Sequence, residues 1–295
     1  MAIDEIRKTK LEKVKELRKM GVDPYPAVSG QTSCIHDALE KFDELSESKE
    51  EPTLTGRILA RREHGGSVFF DINDGTEKLQ AYLKEDVVGP ENFKEFNEFI
   101  DIGDFVAVQG PLFKTKKDEK TIEVHSYKIL AKALLPLPEK WHGLQDVEER
   151  FRKRYLDLLM NPEVKEKFVK RSRIIQAIRG YMLQHNFVEV TTPTLQPLYG
   201  GASARPFKTH LNALNIDMFL RIAPELYLKR LMVGGFERVF EFTTNFRNEG
   251  IDREHNPEFS AMEFYAAYRD YQWVMDFLED MLITIAPERF TKPFR

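Results

Sequence analysis

Four residues between positions 236 and 268 have the types needed to hold a nucleotide beside an amine: Arg247, Phe259, Glu263 and Tyr265. Arginine offers a planar fork of donors to phosphate oxygens. Phe259 offers a plate for a base, and Glu263 with Tyr265 a carboxylate and a hydroxyl for a cation. The spacing suits one sheet face. In a first strand, period-two geometry puts Val239, Glu241, Thr243, Asn245 and Arg247 on one side, with Phe240, Phe242, Thr244 and Phe246 on the other. After a charged loop, Phe259, Ala261, Glu263 and Tyr265 share a side opposite Met262, Phe264 and Ala266. If the strands pair, Arg247, Phe259, Glu263 and Tyr265 line one surface. An ordinary antiparallel sheet with one apolar face and one solvated polar face satisfies the same alternation, so period alone leaves both readings open.

The elements around these strands are legible. Residues 163–185 read as one long helix with Ile174, Ile175, Ile178, Tyr181 and Met182 in an apolar stripe, followed by a strand over 187–192 that Pro193 ends. Gly200-Gly201-Ala202-Ser203-Ala204 is a small-residue loop that lets a ligand come close to backbone. It matches neither a Walker loop nor a dinucleotide fingerprint, and as a bare glycine pair it is also an ordinary turn. Pro224 starts a helix that Gly234-Gly235 ends, with Glu225 in its first turn, where a carboxylate complements the helix dipole. A last helix over 271–285 spaces Val274, Phe277, Leu278, Met281, Leu282 and Ile285 as core.

The amino-terminal half reads differently. Residues 3–20 form a basic helix carrying Lys8, Lys10, Lys13, Lys15, Arg18 and Lys19, with Ile3, Ile6, Val14 and Leu17 sharing part of one side and Gly21 as its stop. Its charge is either a solvated face or a contact with an RNA backbone. A short acidic helix and a polar connector over 36–51 precede strands at 53–62, 67–73 and 78–83, a helix at 90–99, and strands at 105–113 and 121–130. Gly65-Gly66 and Asp74-Gly75 supply turns. Five strands with a helix between the third and fourth are the order of an OB-fold barrel. Phe69 and Phe70 are adjacent, so one faces inward and the other outward, where it can stack on an unpaired base. Leu134-Leu135-Pro136-Leu137-Pro138 is a stiff linker, and a helical region follows over 144–160.

The 295 residues leave room for two cores, and 42% hydrophobic with 31% charged residues describes a soluble globular chain. A net charge of -4 argues against a uniformly basic nucleic-acid coat but leaves local basic surfaces open. Cys34 is the one cysteine, which excludes an intrachain disulfide and a cysteine-cluster zinc site. A cytoplasmic location is expected, with no secretion signal and no membrane anchor.

FRNEG at 246–250 followed by HNPEF at 255–259 resembles motif 2 of the class II aminoacyl-tRNA synthetases, and the longer string is similar to the lysyl-tRNA synthetases in particular. The likeness runs upstream through RIAPELYLKRLMVGGFERVF, TTPTLQPLYGGASARPFKTH, FRKRYLDL and GRILARR, so it covers nearly all of the chain. The resemblance implies lysine-tRNA ligase activity, in which lysine and ATP give lysyl-adenylate and the lysyl group passes to the 3' end of lysine tRNA. It assigns Arg247 to the ATP α-phosphate and the lysine carboxylate, Glu249, His255 and Asn256 to ATP, and Phe259 to adenine. Gly201 and Glu225 fall on the lysine α-amino group, Glu263 and Tyr265 on its side-chain ammonium. Arg62, Phe69 and Gln80 fall where the family reads anticodon bases, while a glutamate of some members is Ser126 here.

The helix and strand before Pro193 resemble motif 1, which implies a homodimer. Magnesium is expected for the family, with ligands beyond residue 295 and none assigned within this chain. The sequence stops at 291–295, ahead of any motif 3, and the expectation is therefore a fragment or truncated copy.

The fold expectation is α+β and multidomain: a basic amino-terminal segment at 1–30, an OB-fold anticodon-binding domain at 31–135, a linker at 136–165, and an incomplete class II antiparallel sheet flanked by helices at 166–295. Two rivals differ in what they require. An aspartyl- or asparaginyl-tRNA synthetase needs a pocket for an acid or amide, which Glu263 with Tyr265 disfavours. A tRNA-binding module without chemistry needs only the barrel.

Overall fold

In the computed structural model, which describes residues 3–138, 144 and 146–289, the chain divides into two compact units at Met160/Asn161. Among the described residues no helix is long and apolar enough to cross a membrane. The ending at 291–295 lies outside the described residues.

The first unit begins with helix α1 (Ile3–Lys19), which Gly21 stops with a φ of +81°. Val14 and Leu17 are buried as the spacing predicts, whereas Ile3 is 63% exposed. The basic face is split. Lys8, Lys15, Arg18 and Lys19 are exposed, while Lys10 is buried and Lys13 pairs with Asp101 at 2.7 Å. Beside them Lys132, with no side-chain exposure, donates to Asp101, to Asp104 at 2.6 Å and to Phe99 O at 2.6 Å. Burial pushes the Lys10 ammonium down and the Asp104 carboxyl up. The bonds from Lys13 and Lys132 carry Asp101 below its ordinary value, although its burial pulls the other way. One side of the helix is therefore fastened by charge as well as by apolar contact.

The acidic stretch forms two helices instead of one, α2 (Ile35–Glu40) and α3 (Phe42–Ser48), because Lys41 leaves helical geometry between them. Strands β1 (Thr53–His64), β2 (Ser67–Asn73) and β3 (Lys78–Lys84) are consecutive antiparallel neighbours. After α4 (Glu85–Val88) and α5 (Pro90–Phe99) the two remaining expected strands are each broken. The first gives β4 (Phe105–Gln109) and β5 (Leu112–Lys114), separated at Gly110-Pro111; the second gives β6 (Lys120–Val124) and β7 (Ser126–Ala131), separated at His125. The sheet order is β5-β6-β3-β2-β1-β4-β7.

Its two ends are halves of one hairpin. Glu123 N donates to Pro111 O at 2.9 Å and His125 N to Gln109 O at 2.8 Å, so pairing continues across both breaks. The bent hairpin runs from β3, which pairs in parallel with β6, back to β1, which pairs with β4. Only glycine fits at the bend, since a Cβ on Gly110 would stand 1.7 Å from Glu123 O. Phe42, Leu54, Ile58, Phe70, Ile72, Leu83 and Phe96 fill the interior, and each such side chain contributes about 1.5–3 kcal/mol by leaving water. The expected helix at 144–160 is two short ones, α6 (Val147–Arg152) and α7 (Arg154–Met160), with Lys153 non-helical between them.

The second unit opens with α8 (Pro162–Gln184). Its two ends are covered and its middle is not: Val164 in the first turn and Tyr181 and Met182 in the last turns are buried, whereas Phe168, Val169 and Ile174 are 50%, 42% and 47% exposed. The strand expected over 187–192 shrinks to β8 (Val188–Glu189), because Val190 is the last residue whose backbone bonds the neighbouring strand. A small sheet of β9 (Leu195–Gln196), β10 (Lys208–Leu211) and β11 (Ile216–Leu220) is ordered β10-β11-β9. Helix α9 (Glu225–Val233) precedes the long antiparallel pair β12 (Arg238–Phe246) and β13 (Glu258–Ala266), which β8 joins in parallel. Helix α10 (Tyr271–Ile285), capped by Asp270, closes the apolar side. There Phe240, Phe264 and Met262 meet Tyr181, Phe187, Phe277 and Met281.

Candidate functional site

The β12–β13 register sets Asn245 opposite Phe259, Thr243 opposite Ala261, Glu241 opposite Glu263 and Val239 opposite Tyr265. Partners in register share a face, so the expected surface forms. The Arg247 guanidinium lies 5.0 Å from the Phe259 ring centroid, a cation–π distance. Its Nε is buried and has no hydrogen-bond partner among the described residues. Tyr265 Oη donates to Glu263 Oε1 at 2.8 Å.

On β12 the polar face is buried, unlike the ordinary solvated sheet that period alone left open, while Phe259, Glu263 and Tyr265 on β13 are half-buried. Glu241 is 1% exposed, Asn245 3% and Thr243 4%, while Phe242 and Phe246 on the apolar face are only partly covered. What makes this burial tolerable is Arg221, just after β11 and itself 5% exposed. Its guanidinium donates to Glu241 Oε1 at 2.7 Å, to Thr244 O at 2.9 Å and to Thr192 O at 3.1 Å, and Thr192 Oγ1 donates to Glu241 Oε2 at 2.7 Å. A buried carboxylate is thus paired and bonded on both oxygens.

Burial pushes the Glu263 carboxyl above its ordinary range. The Tyr265 hydroxyl acts against the rise, while the nearby Glu225 and Glu241 add to it. Burial, with the bond to Glu263, lifts the Tyr265 phenol as well. Among the described residues Glu263 has no basic partner within ion-pair distance, so the site holds a half-buried carboxylate in want of a cation.

The glycine loop also approaches protein. A Cβ on Gly201, where φ is +87°, would stand 2.6 Å from Glu225 Cβ, and one on Gly200 would stand 2.8 Å from Leu226 Cδ1. The loop is small so that α9 can lie against it. Glu225 pairs with Lys229 one turn along at 2.5 Å. Farther along the loop, Arg205 N donates to Glu249 Oε1 at 3.2 Å and Arg205 O accepts from Asn248 N at 2.8 Å, which ties motif 2 to the loop. His255 and Asn256 lie in the exposed connection between β12 and β13, where the His255 ring bonds Asp252 at 2.9 Å. These two are not brought against the Glu263 end.

Sequence reasoning missed Arg221, Glu241, Thr192, Lys229, Asp252 and Arg205. A carboxylate within an otherwise core-forming strand, and an arginine directly after Met218-Phe219-Leu220, were the available signals of the buried pair. Among the described residues, the converging metal-type donors are His36, Asp37 and Glu40, all exposed and on α2 in the other unit. Among the described residues no such donor group stands around Arg247.

In the first unit, a bulge between Ile58 and Ala60 decides what the outer sheet face carries. Strict alternation from Leu54 and Ile58 would turn Arg62 inward; the extra residue Leu59 instead sets Arg62 opposite Phe69. Arg61 turns inward, where it donates to Ile100 O and Asn97 Oδ1 and covers the Phe96 ring at 5.3 Å. Phe70 enters the core, while Phe69 lies outward and stacks on Tyr82 at 4.5 Å. Gln80, opposite Asp71, shares the outer face but is covered, its Oε1 accepting from Thr121 Oγ1 at 3.1 Å. Arg62, Phe69 and Gln80 therefore stand on one face, which Ser126 on β7 does not join through any pairing with β3.

Residues 53–130 match the family described as OB-fold nucleic acid binding domain, and residues 146–293 match tRNA synthetases class II (D, K and N). The chain is 50% identical to the lysine–tRNA ligase of Carboxydothermus hydrogenoformans over 96% of its own length and 58% of that protein's. It is 49% identical to that of Syntrophomonas wolfei, with 96% and 57% covered, and 46% identical to that of Thermotoga maritima, with the same two shares. The chain thus spans somewhat over half the length of these relatives.

Proposed function

Because this chain belongs to the class II tRNA synthetases of the aspartate, lysine and asparagine group, we propose that it carries the lysine- and ATP-binding face of a lysine–tRNA ligase together with its anticodon-reading barrel. The observation that carries the lysine reading is Glu263. It is half-buried, held by Tyr265 and unpartnered by any base among the described residues, on the sheet face that also bears Arg247 and Phe259. With Glu225 and Glu241 nearby, this face is acidic and repels an aspartate side chain, while the ammonium of lysine satisfies it.

In this reading Phe259 stacks on adenine, and Arg247 faces both the α-phosphate and the lysine carboxylate. A lysine carboxylate oxygen attacks the α-phosphorus in line, a new P–O bond forms, and pyrophosphate leaves with the electron pair of the broken bond. Arg247 stabilises the negative charge that grows on the phosphoryl oxygens, and holding both reactants on one rigid sheet supplies orientation. Glu249, His255 and Asn256 contact the remainder of ATP, and Gly201 with Glu225 the α-amino group. A ribose hydroxyl at the 3' end of lysine tRNA then attacks the lysyl carbonyl carbon, an ester bond forms, the anhydride C–O bond breaks and AMP leaves with its electron pair, while the anticodon bases of that tRNA meet Arg62, Phe69 and Gln80. A homodimer formed through the exposed part of α8, magnesium supplied with ATP and a cytoplasmic location complete the proposal.

The test is lysine-dependent exchange of pyrophosphate into ATP by the protein at the length of its relatives. A hydrogen bond to a charged group contributes about 1.5–3 kcal/mol, so Glu263→Gln raises the KM for lysine about tenfold or more and leaves that for ATP in place. Equal loss toward both substrates would sink the assignment. For the barrel, Phe69→Ala weakens binding of lysine tRNA but not of an anticodon-substituted tRNA; equal weakening of both refutes base readout.

A further inference from the structure

The two oxygens of Glu225 are used differently. Oε1 accepts from Lys229 Nζ at 2.5 Å, whereas Oε2 points toward the Gly201 backbone, 3.3 Å from where a Cβ on that glycine would stand. Gly201 has a φ of +87° and packs against the Glu225 stem, while Oε2 takes no hydrogen bond among the described residues and is not a buried atom, so it can accept from a small polar group. A glutamate side chain at the start of a helix has three rotatable bonds. Packing from the Gly201 loop on one side of its stem, and one ammonium on the other, fix which oxygen faces the loop.

The other carboxylates of the face are held by other means. Glu241 is bound by Arg221 and Thr192, and Glu263 by Tyr265. Lys229 is the basic group that addresses Glu225, and it does so from the solvent edge, with 57% of its side chain exposed against 28% for Glu225. As a bare surface pair at i,i+4 it would contribute a few tenths of a kcal/mol to the helix and nothing to binding.

We propose that Lys229 is a positioning residue: it occupies Oε1 of Glu225 so that Oε2 is presented beside Gly201 to the α-ammonium group of the amino-acid substrate. This rests on the lysine-site reading above and adds to it a reason for a lysine one turn after Glu225. It also separates two recognition events. The substrate's side-chain ammonium meets Glu263, which Lys229 influences only at longer range and as the least of several causes, and its α-ammonium meets a carboxylate whose orientation Lys229 sets.

Calorimetric binding of lysine and of 6-aminohexanoate to the full chain tests this, because 6-aminohexanoate keeps the carboxylate and the distal ammonium but lacks the α-amino group. Lys229→Met is expected to weaken lysine about three- to tenfold, within the coupling range of directly interacting residues, and to leave 6-aminohexanoate within about twofold. Lys229→Arg restores lysine affinity. Glu225→Gln abolishes the preference for lysine over 6-aminohexanoate, and in that background Lys229→Met has no further effect. Thermal melts control for folding. Equal weakening of both ligands by Lys229→Met, or no weakening of lysine while Glu225→Gln still removes the preference, overturns the role of Lys229 alone. Absence of lysine binding by the wild type, or an unchanged preference in Glu225→Gln, overturns the lysine-site reading and this proposal with it.

Discussion

Replacing Arg221 by methionine separates a buried charge from its partner without opening a large void. The side chain is 5% exposed and Glu241 1%, so neither end is rescued by water. Loss of the guanidinium leaves Glu241 with the Thr192 hydroxyl alone, and strips Thr244 O and Thr192 O of a donor. Breaking one side of a buried ion pair costs about 3–5 kcal/mol, a large part of the roughly 5–15 kcal/mol that holds a typical domain together. For a unit of this size that is a fall of about 10–20 °C in its melting transition.

Adding Glu241→Gln removes the stranded charge while keeping an acceptor for Thr192, so the double variant recovers about 2 kcal/mol or more of the loss. Differential scanning calorimetry on the chain compares the two variants with the parent. If Arg221→Met costs no more than the double variant, Glu241 is not a buried charge that depends on Arg221, and the account of the buried polar face fails.

Two further variants probe the neighbouring claims. Glu263 has a folded-state pKa raised above its unfolded value. Its contribution to stability is therefore greatest below the ordinary carboxylate value and falls as pH rises through the raised one. Glu263→Gln should raise the melting temperature at about pH 7 and make little difference near pH 3, below the ordinary pKa of about 4.3, while abolishing an acid limb of lysine binding that lies above that value. A melting temperature lowered at neutral pH would contradict this. In the barrel, Gly110→Ala drives a Cβ into Glu123 O and is expected to destabilise the first unit by about 3 kcal/mol or more. Gly180→Ala in α8, where a Cβ meets nothing within 4 Å, should instead stabilise the second unit by about 0.5–1 kcal/mol, as urea titrations of both will register.

Much of this architecture is written locally. The strands of β2 and β3, helix α5 and helix α10 follow from alternation, turn residues and amphipathic spacing, and the sharing of a face by Arg247, Phe259, Glu263 and Tyr265 follows from strand parity. What escaped is non-local. The burial of Glu241 depends on Arg221, twenty positions earlier and in another strand context, and no period can announce a partner that distant. The breaks at Gly110 and His125 belong to a hairpin bending between two neighbours, so five strands read as lines become seven pieces. The packing of α9 on the glycine pair at 200–201 was equally hidden, because sequence shows that space is needed, not what fills it. Similarly, Lys10 and Lys13 read as part of a basic face until Asp101, Asp104 and Lys132 are seen beneath them.

The bulge at Leu59 gives two adjacent, chemically identical residues unrelated careers. Arg61 answers to Asn97, Ile100 and Phe96, and Arg62 to whatever lies across from Phe69. If Arg62 reads RNA as proposed, substitutions at position 61 should track changes at the end of α5, and those at 62 should track the nucleic acid being read. A lysine at 61 would show itself as poor yield of folded protein, and a lysine at 62 as altered discrimination among tRNAs by an otherwise sound molecule. A pair that alignment treats as one basic dipeptide is, for heredity, two separate characters.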